Sequence, residues 1–170
     1  YIVDSSNHRI KKVSNDLTTH IWTVGGTASG SGNGQFYNPT SIAIDSSDNI
    51  YVLDQRNYRV QKFDSNGNFL LKWGSNSDID GYFSTYPYSI AVDSTGTVYT
   101  LEQGKRRLQK WDSNGNFISA YTFSGLPGPE NLNSPEFIDV DGSGNIYISD
   151  GNNNRIIKFN SSFVYQGHLA

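Results

Sequence analysis

An all-β fold, a β-propeller of four-stranded antiparallel blades, is what this sequence predicts, on three observations. Short runs of Ile, Val, Tyr and Phe are broken by 17 Gly and by many Asn and Ser, with no long helix-period segment between them. The tetrads YIVD, YVLD, YTLE and YISD, headed by Tyr1, Tyr51, Tyr99 and Tyr147, recur at separations of 50, 48 and 48 residues. Arg9, Arg59, Arg107 and Arg155 keep the same intervals, and Pro39, Pro87 and Pro135 recur every 48.

Four strands can be read in each unit. The first is the apolar run after the proline, Ser41 to Asp45, Ser89 to Asp93 and Phe137 to Asp141; continuous apolarity implies burial on both faces. A DSSDN-type turn leads to the second strand, Ile50 to Asp54 in the second unit. The third strand, Arg59 to Asp64, reaches the fourth, Phe69 to Trp73, through the hairpin sequence DSNGN. A meander of this kind cannot cover its own faces, whereas copies stacked radially around an axis leave only short edges. The chain is therefore read as one propeller region, with a partial blade over 1–24 and full blades over 36–74, 84–123 and 133–168.

The segments SIAIDSSDNIYVLDQRNYRVQKFDSNGNF, SIAVDSTGTVYTLEQGKRRLQKWDSNGNF and FIDVDGSGNIYISDGNNNRIIKF, with YIVDSSNHRIKKV as a partial copy, resemble the NHL-repeat family. Its units carry an apolar strand ending in Asp, a Gly/Asn turn, Tyr-Val-x-Asp, Asn-x-Arg-Ile/Val, Lys-Phe-Asp and a Gly-x-Phe strand. The linker GSGNGQFYNP fits the family's approach to the proline, DIDGYFSTYP keeps part of it, and LPGPENLNSP departs. The resemblance implies a ring of about six blades. Missing blades or other chains would then complete what this chain supplies.

Composition narrows the function classes. Net charge is -3 and pI about 5.5, so no basic footprint for a phosphate backbone is present and nucleic acid is disfavoured. No apolar run approaches a membrane span, so membrane insertion is not expected. There is no Cys, which removes disulfides and thiol chemistry. The Ser/Asn/Gly/Tyr-rich, Lys-poor surface suggests secretion, with an extracellular or cell-surface location. One sequon, Asn160-Ser161-Ser162, permits N-glycosylation in a suitable host.

Residues needed in every blade are best explained by what every blade shares. Arg9, Arg59, Arg107 and Arg155 are expected to pair with Asp4, Asp54, Glu102 and Asp150 rather than to form a ring of anion receptors. The oxygen-rich loops DSSDN, DSTGT and DGSGN invite calcium as a cofactor. The same residues make tight turns, and none of these loops has the full spacing of a calcium loop, so no cofactor is expected. Asp139 stands where Ala43 and Ala91 occupy the innermost strand. It is expected to enter the axial channel or to meet a basic partner, and is the one candidate metal ligand.

Positions that vary between blades are candidates for recognition. In a meander, the connections after the second and fourth strands share one end of the blade. That end carries SSNHR, QRNYR, QGKRR and GNNNR together with the long linkers, so it is the expected contact surface for a protein or glycan. The candidate binding residues are His8, Tyr37, Arg56, Tyr58, Tyr82, Tyr86, Lys105, Arg106, Asn152 and Asn154; Tyr and Arg combine contact area with hydrogen bonding. Lys105-Arg106-Arg107 is the compact basic cluster, suited to steering an acidic partner. Some propellers resembling this one are lyases with histidines around an axial metal, and others bind RNA. Here His8, His20 and His168 occupy non-equivalent positions and no nucleophile constellation repeats. The expected role is a non-catalytic extracellular interaction or structural module; a lyase or metal-dependent hydrolase, and an RNA-binding propeller, are the alternatives.

Overall fold

A computed structural model describes residues 1–84, 87–124 and 128–170. The first sheet joins β1 (Ile2–Asp4), β2 (Arg9–Val13) and β3 (His20–Gly25) in sequence order. The second joins β4 (Pro39–Ile44), β5 (Ile50–Asp54), β6 (Arg59–Phe63) and β7 (Phe69–Trp73). The third comprises β8 (Pro87–Val92), β9 (Val98–Glu102), β10 (Arg107–Trp111) and β11 (Phe117–Thr122). The fourth comprises β12 (Pro135–Val140), β13 (Ile146–Asp150), β14 (Arg155–Phe159) and β15 (Tyr165–Leu169). All pairings within the sheets are antiparallel between chain neighbours, so each sheet is a meander blade.

Each innermost strand opens on a proline, whose missing N–H cannot join the ladder. The register slips just after it, between Pro39 and Ser41, Pro87 and Ser89, and Pro135 and Ile138. A second slip, a bulge, falls after the equivalent lysines Lys12, Lys62, Lys110 and Lys158, where the outermost strand bends away.

The core lies between blades. Tyr51, Leu53 and Val60 of the second blade pack with Ile90, Val98 and Trp111 of the third. Tyr99, Leu101 and Leu108 of the third pack with Ile138, Ile146 and Phe159 of the fourth. Every residue of β5, β6 and β9 is buried, as strands covered on both faces require. Aromatic rings bridge the central junction: Trp73 and Trp111 lie 6.1 Å apart and Phe83 and Trp111 5.6 Å. Gly115, at φ +80°, closes the hairpin beneath Trp73, where a Cβ would sit 2.7 Å from the indole. The turn glycine therefore serves both the positive φ and the approach of the neighbouring blade.

Lysines cross the junctions as well. Lys12, Lys62 and Lys110 donate to the carbonyls of Ser65, Ser113 and Ser161 in the following blade, at 3.1, 3.0 and 2.8 Å. Lys62 and Lys110 also lie over the tyrosines paired with them on the adjacent strand, Lys62 at 4.9 Å from the Tyr51 ring and Lys110 at 5.3 Å from that of Tyr99.

Asp139 corrects an expectation. It does not turn into an axial channel but is exposed opposite Tyr147 in register, its Oδ1 accepting the Val140 N–H at 2.9 Å. The faces of an innermost strand look at neighbouring blades, and strand alternation that buries Ile138 sends Asp139 to the other side of the sheet.

Candidate binding face

The two ends of the blades spend their polar side chains differently. At one end the DSSDN-type turns are closed by their own aspartates. Asp45 Oδ1 accepts the N–H groups of Ser47 and Asn49, and Oδ2 accepts Asn49 Nδ2 and the Tyr51 hydroxyl. Asp141 repeats this set with Ser143, Asn145 and Tyr147. Bonds from the Asn145 side chain, then from its backbone N–H, hold the Asp141 carboxyl down at about 2. A cleft of about 400 Å3 at this end borders Asp93 and Lys110. Both are engaged, Asp93 by Thr95, Thr97 and Tyr99, and Lys110 by the Ser161 carbonyl.

At the other end the repeated arginines fasten linkers to blades. Arg59 Nε meets Asp54 at 2.7 Å, while its terminal nitrogens donate to the carbonyls of Ser31, Gly32 and Gln35. Asp54 is fully buried; burial pushes its carboxyl up, against the opposing bonds from the Tyr37 N–H, Asn57 and Arg59. Arg107 clasps Glu102, Asp80 and the Tyr82 carbonyl in the same way, and Arg155 clasps Asp150 and the Asn131 carbonyl. Arg9 pairs with Asp4 at 2.7 Å and is more open, its side chain 27% exposed against 7% for Arg59.

One position before each clamp arginine the chain turns left-handed, at φ 54° in His8, 53° in Tyr58, 50° in Arg106 and 51° in Asn154. The N–H of each closes a turn on the carbonyl three residues back. Bulky residues are uncommon at such φ. Four different side chains on one strained backbone geometry mark a position where the repeat leaves chemistry open. Sequence reading selected all four residues without the conformation that unites them.

The structure brings His8, Tyr37 and Arg56 together from three separate segments. The Arg56 guanidinium lies 5.5 Å from the Tyr37 ring centre, which meets the His8 ring edge-on at 5.7 Å. His8 Nδ1 accepts the Asn38 N–H at 3.1 Å, fixing the ring. Two blades on, a cavity of about 570 Å3 is lined by Arg106, Gly128, Asn131, Asn133, Asn153 and Arg155. The Arg106 side chain makes no hydrogen bond or ion pair among the described residues, and Asn131 Oδ1 is buried there without a partner. Asn152 lies at the rim, its N–H on the Asn133 carbonyl, and Asn154 is exposed beside it.

Other candidates are spent on structure. Tyr58 is half-buried against the junction of the second and third blades. Lys105 pairs with Asp78 at 2.9 Å and Arg107 is buried, so Lys105-Arg106-Arg107 is no basic patch: of the three, Arg106 alone is uncompensated among the described residues. Tyr82 is exposed but apart from both clusters, its carbonyl taken by Arg107 and Gln109. Tyr86 lies outside the described residues. His8, His20 and His168 bond separately to Asn38, Thr23 and Tyr165, and the described residues hold no group of three or more His, Asp or Glu spaced for a metal.

Comparison with known proteins agrees with this architecture. The NHL repeat model matches residues 36–63 and 132–159. No curated protein sequence matches the chain. Among solved structures, it is similar to virginiamycin B lyase from Staphylococcus aureus, with a TM-score of 0.70 and 13% identity over 98% of this chain and 50% of that one. A streptogramin B lyase gives 0.67 and 14% over 96% and 48%, and the WD40 repeats of RRP9 give 0.70 and 10% over 95% and 44%. The chain thus spans about half the length of the lyases it resembles, and at these identities the likeness is one of fold. With two direct repeat matches, one arginine clamp in each of four sheets and propeller structures as neighbours, the chain is a β-propeller that carries NHL repeats at residues 36–63 and 132–159.

Proposed function

We propose that this chain is a non-catalytic recognition module working outside the cell, presenting its linker-side face to a protein or glycan, with an acidic glycan the ligand best suited to it. One observation carries the reading: the Arg106 guanidinium, uncompensated among the described residues, opens on a cavity ringed by Asn131, Asn133 and Asn153. A guanidinium offers a planar fork for a carboxylate or sulfate. Asparagine amides both donate and accept, as sugar hydroxyls demand. The Tyr37 ring, held between His8 and Arg56 on the same face, offers a second, flat contact of the kind favoured in binding sites.

Calorimetric titration with uronic-acid oligosaccharides and with their neutral counterparts tests this. The acidic series binds and the neutral one binds at least tenfold more weakly; Arg106→Ala removes that preference, while Lys72→Ala, on the exposed side of β7, leaves it intact. Equal affinity for both series, or a preference that survives Arg106→Ala, would sink the glycan reading.

A further inference from the structure

Four residues share the left-handed position before the clamp arginines, and they differ in what acid does to them. His8 carries an imidazole, which changes charge near neutral pH, whereas the tyrosine, arginine and asparagine at positions 58, 106 and 154 are residue types that do not. The Nδ1 atom of His8 accepts the backbone N–H of Asn38 at 3.1 Å. A backbone N–H can only donate, so Nδ1 must keep its lone pair and the neutral ring holds its proton on Nε2. An imidazolium, with N–H groups at both positions, cannot make this bond.

The bond joins two blades at the second contact of the recognition face. Tyr37 and Asn38 are otherwise fastened to the second blade. The Tyr37 N–H donates to Asp54 at 2.7 Å, its carbonyl accepts the Arg56 N–H at 3.1 Å, and Asn38 Nδ2 donates to Gln55 at 3.0 Å. Among the described residues, the first blade holds this pair by hydrogen bonding through His8 alone, and the same ring meets Tyr37 edge-on at 5.7 Å. The surroundings do not favour a charged ring. The Arg56 guanidinium lies 5.5 Å from the Tyr37 ring centre. Of the nearby carboxylates, Asp54 is paired with Arg59, and Asp4 with Arg9 and Lys11 of the blade that carries His8. No carboxylate pairs with His8 among the described residues.

We propose that His8 is an acid-sensitive clip on the recognition face: protonation breaks its bond to Asn38, turns the ring away from Tyr37 and weakens ligand binding there. The proposal rests on the linker-side recognition reading and adds its regulation. The neutral ring closes the clip, so ligand is held at neutral pH and let go on acidification. Equivalent positions at the other junctions have no such response, which leaves the Arg106 cavity engaged while the Tyr37 contact loosens.

Two measurements keep the clip and the recognition reading apart. Nitrogen–proton NMR spectra of the unliganded chain from about pH 8 to about pH 5 span imidazole protonation and report the clip directly. The Asn38 and Arg56 amide signals should move in one common titration. In His8→Gln, whose side-chain oxygen can accept the Asn38 N–H but does not titrate, they should stay still; His20→Gln should leave the wild-type movement in place. Still signals in the wild type, or movement that survives His8→Gln, overturn the clip whatever the chain binds. Calorimetry with uronic-acid oligosaccharides over the same range reads the consequence. Wild-type affinity should fall roughly fivefold at the acid end, the worth of about one hydrogen-bonded contact, and that of His8→Gln should not change with pH. A wild-type affinity indifferent to pH, or one equally sensitive in His8→Gln, overturns the regulation. Absence of binding at every pH sinks the glycan reading alone, and the spectra still decide the clip.

Discussion

Arg59 and Arg9 occupy the same place in successive blades, yet Arg59 is wrapped by a linker and Arg9 is open. Removing Arg59 strands a buried carboxylate and frees three linker carbonyls at once. Arg59→Ala should therefore cost about 3 kcal/mol, the low end for breaking a buried pair because Asp54 keeps its bonds from Tyr37, Asn57 and Gln61. Arg9→Ala should cost clearly less, since its pair is already screened by water. Urea denaturation of both variants checks this; equal losses would mean the linker contributes nothing. The pairing itself was legible from the shared interval of Arg and acid. The linker's part in it was not, because the carbonyls that Arg59 takes belong to Ser31, Gly32 and Gln35, backbone groups that any residue would supply. Tyr58 and Tyr37 looked alike in sequence for a related reason. What separates the half-buried Tyr58 from the exposed Tyr37 is the blade junction against which Tyr58 packs.

Turns and strands respond to solution conditions through the aspartates that close them. The folded-state carboxyl of Asp141 sits at about 2 against an ordinary 3.8, and those of Asp64 and Asp112 are also lowered, first by the bonds from the Asn68 and Asn116 side chains. A depressed folded-state pKa stabilises the fold above the ordinary value and loses that contribution as the pH drops toward the depressed one. Stability should thus fall between pH 3.8 and about 2, and Asp141→Asn should make the fall shallower; urea midpoints from pH 5 to pH 2 measure it. A wild-type midpoint flat over that range would show that these bonds are equally present in the unfolded chain. Strand order and hairpin positions were readable in the sequence because period-two patterning and Asn-Gly turns are local signals. The lysine tethers went unread: Lys62 and Ser113 are brought together by stacking of blades, and no local pattern reports a bond to a carbonyl 51 residues away.

At the scale of the molecule, each blade touches only its neighbours, so stability is a sum of blade and junction contributions. The inner strands β5, β6, β9 and β10 are covered from both sides, while β1, β3 and β15 border solvent. Amide hydrogen exchange should therefore be slowest in β5, β6, β9 and β10 and fastest in β1, β3 and β15, a gradient from the centre of the arc to its ends. Uniform protection across all strands in dilute monomer would contradict nearest-neighbour stacking.

By itself the sequence determined the repeat, the blade, the acid that meets each arginine and the end of the molecule where variation collects, because each is a periodic or local property of the chain. The tertiary structure decided which variable residues act together. His8, Tyr37 and Arg56 meet because a turn of one blade, a linker and a turn of the next converge at one junction, and Arg106 faces asparagines contributed by the following linker and blade. Such convergence depends on how far one blade is rotated from the next, which is set by the packing of side chains across the junction and is written in no single segment.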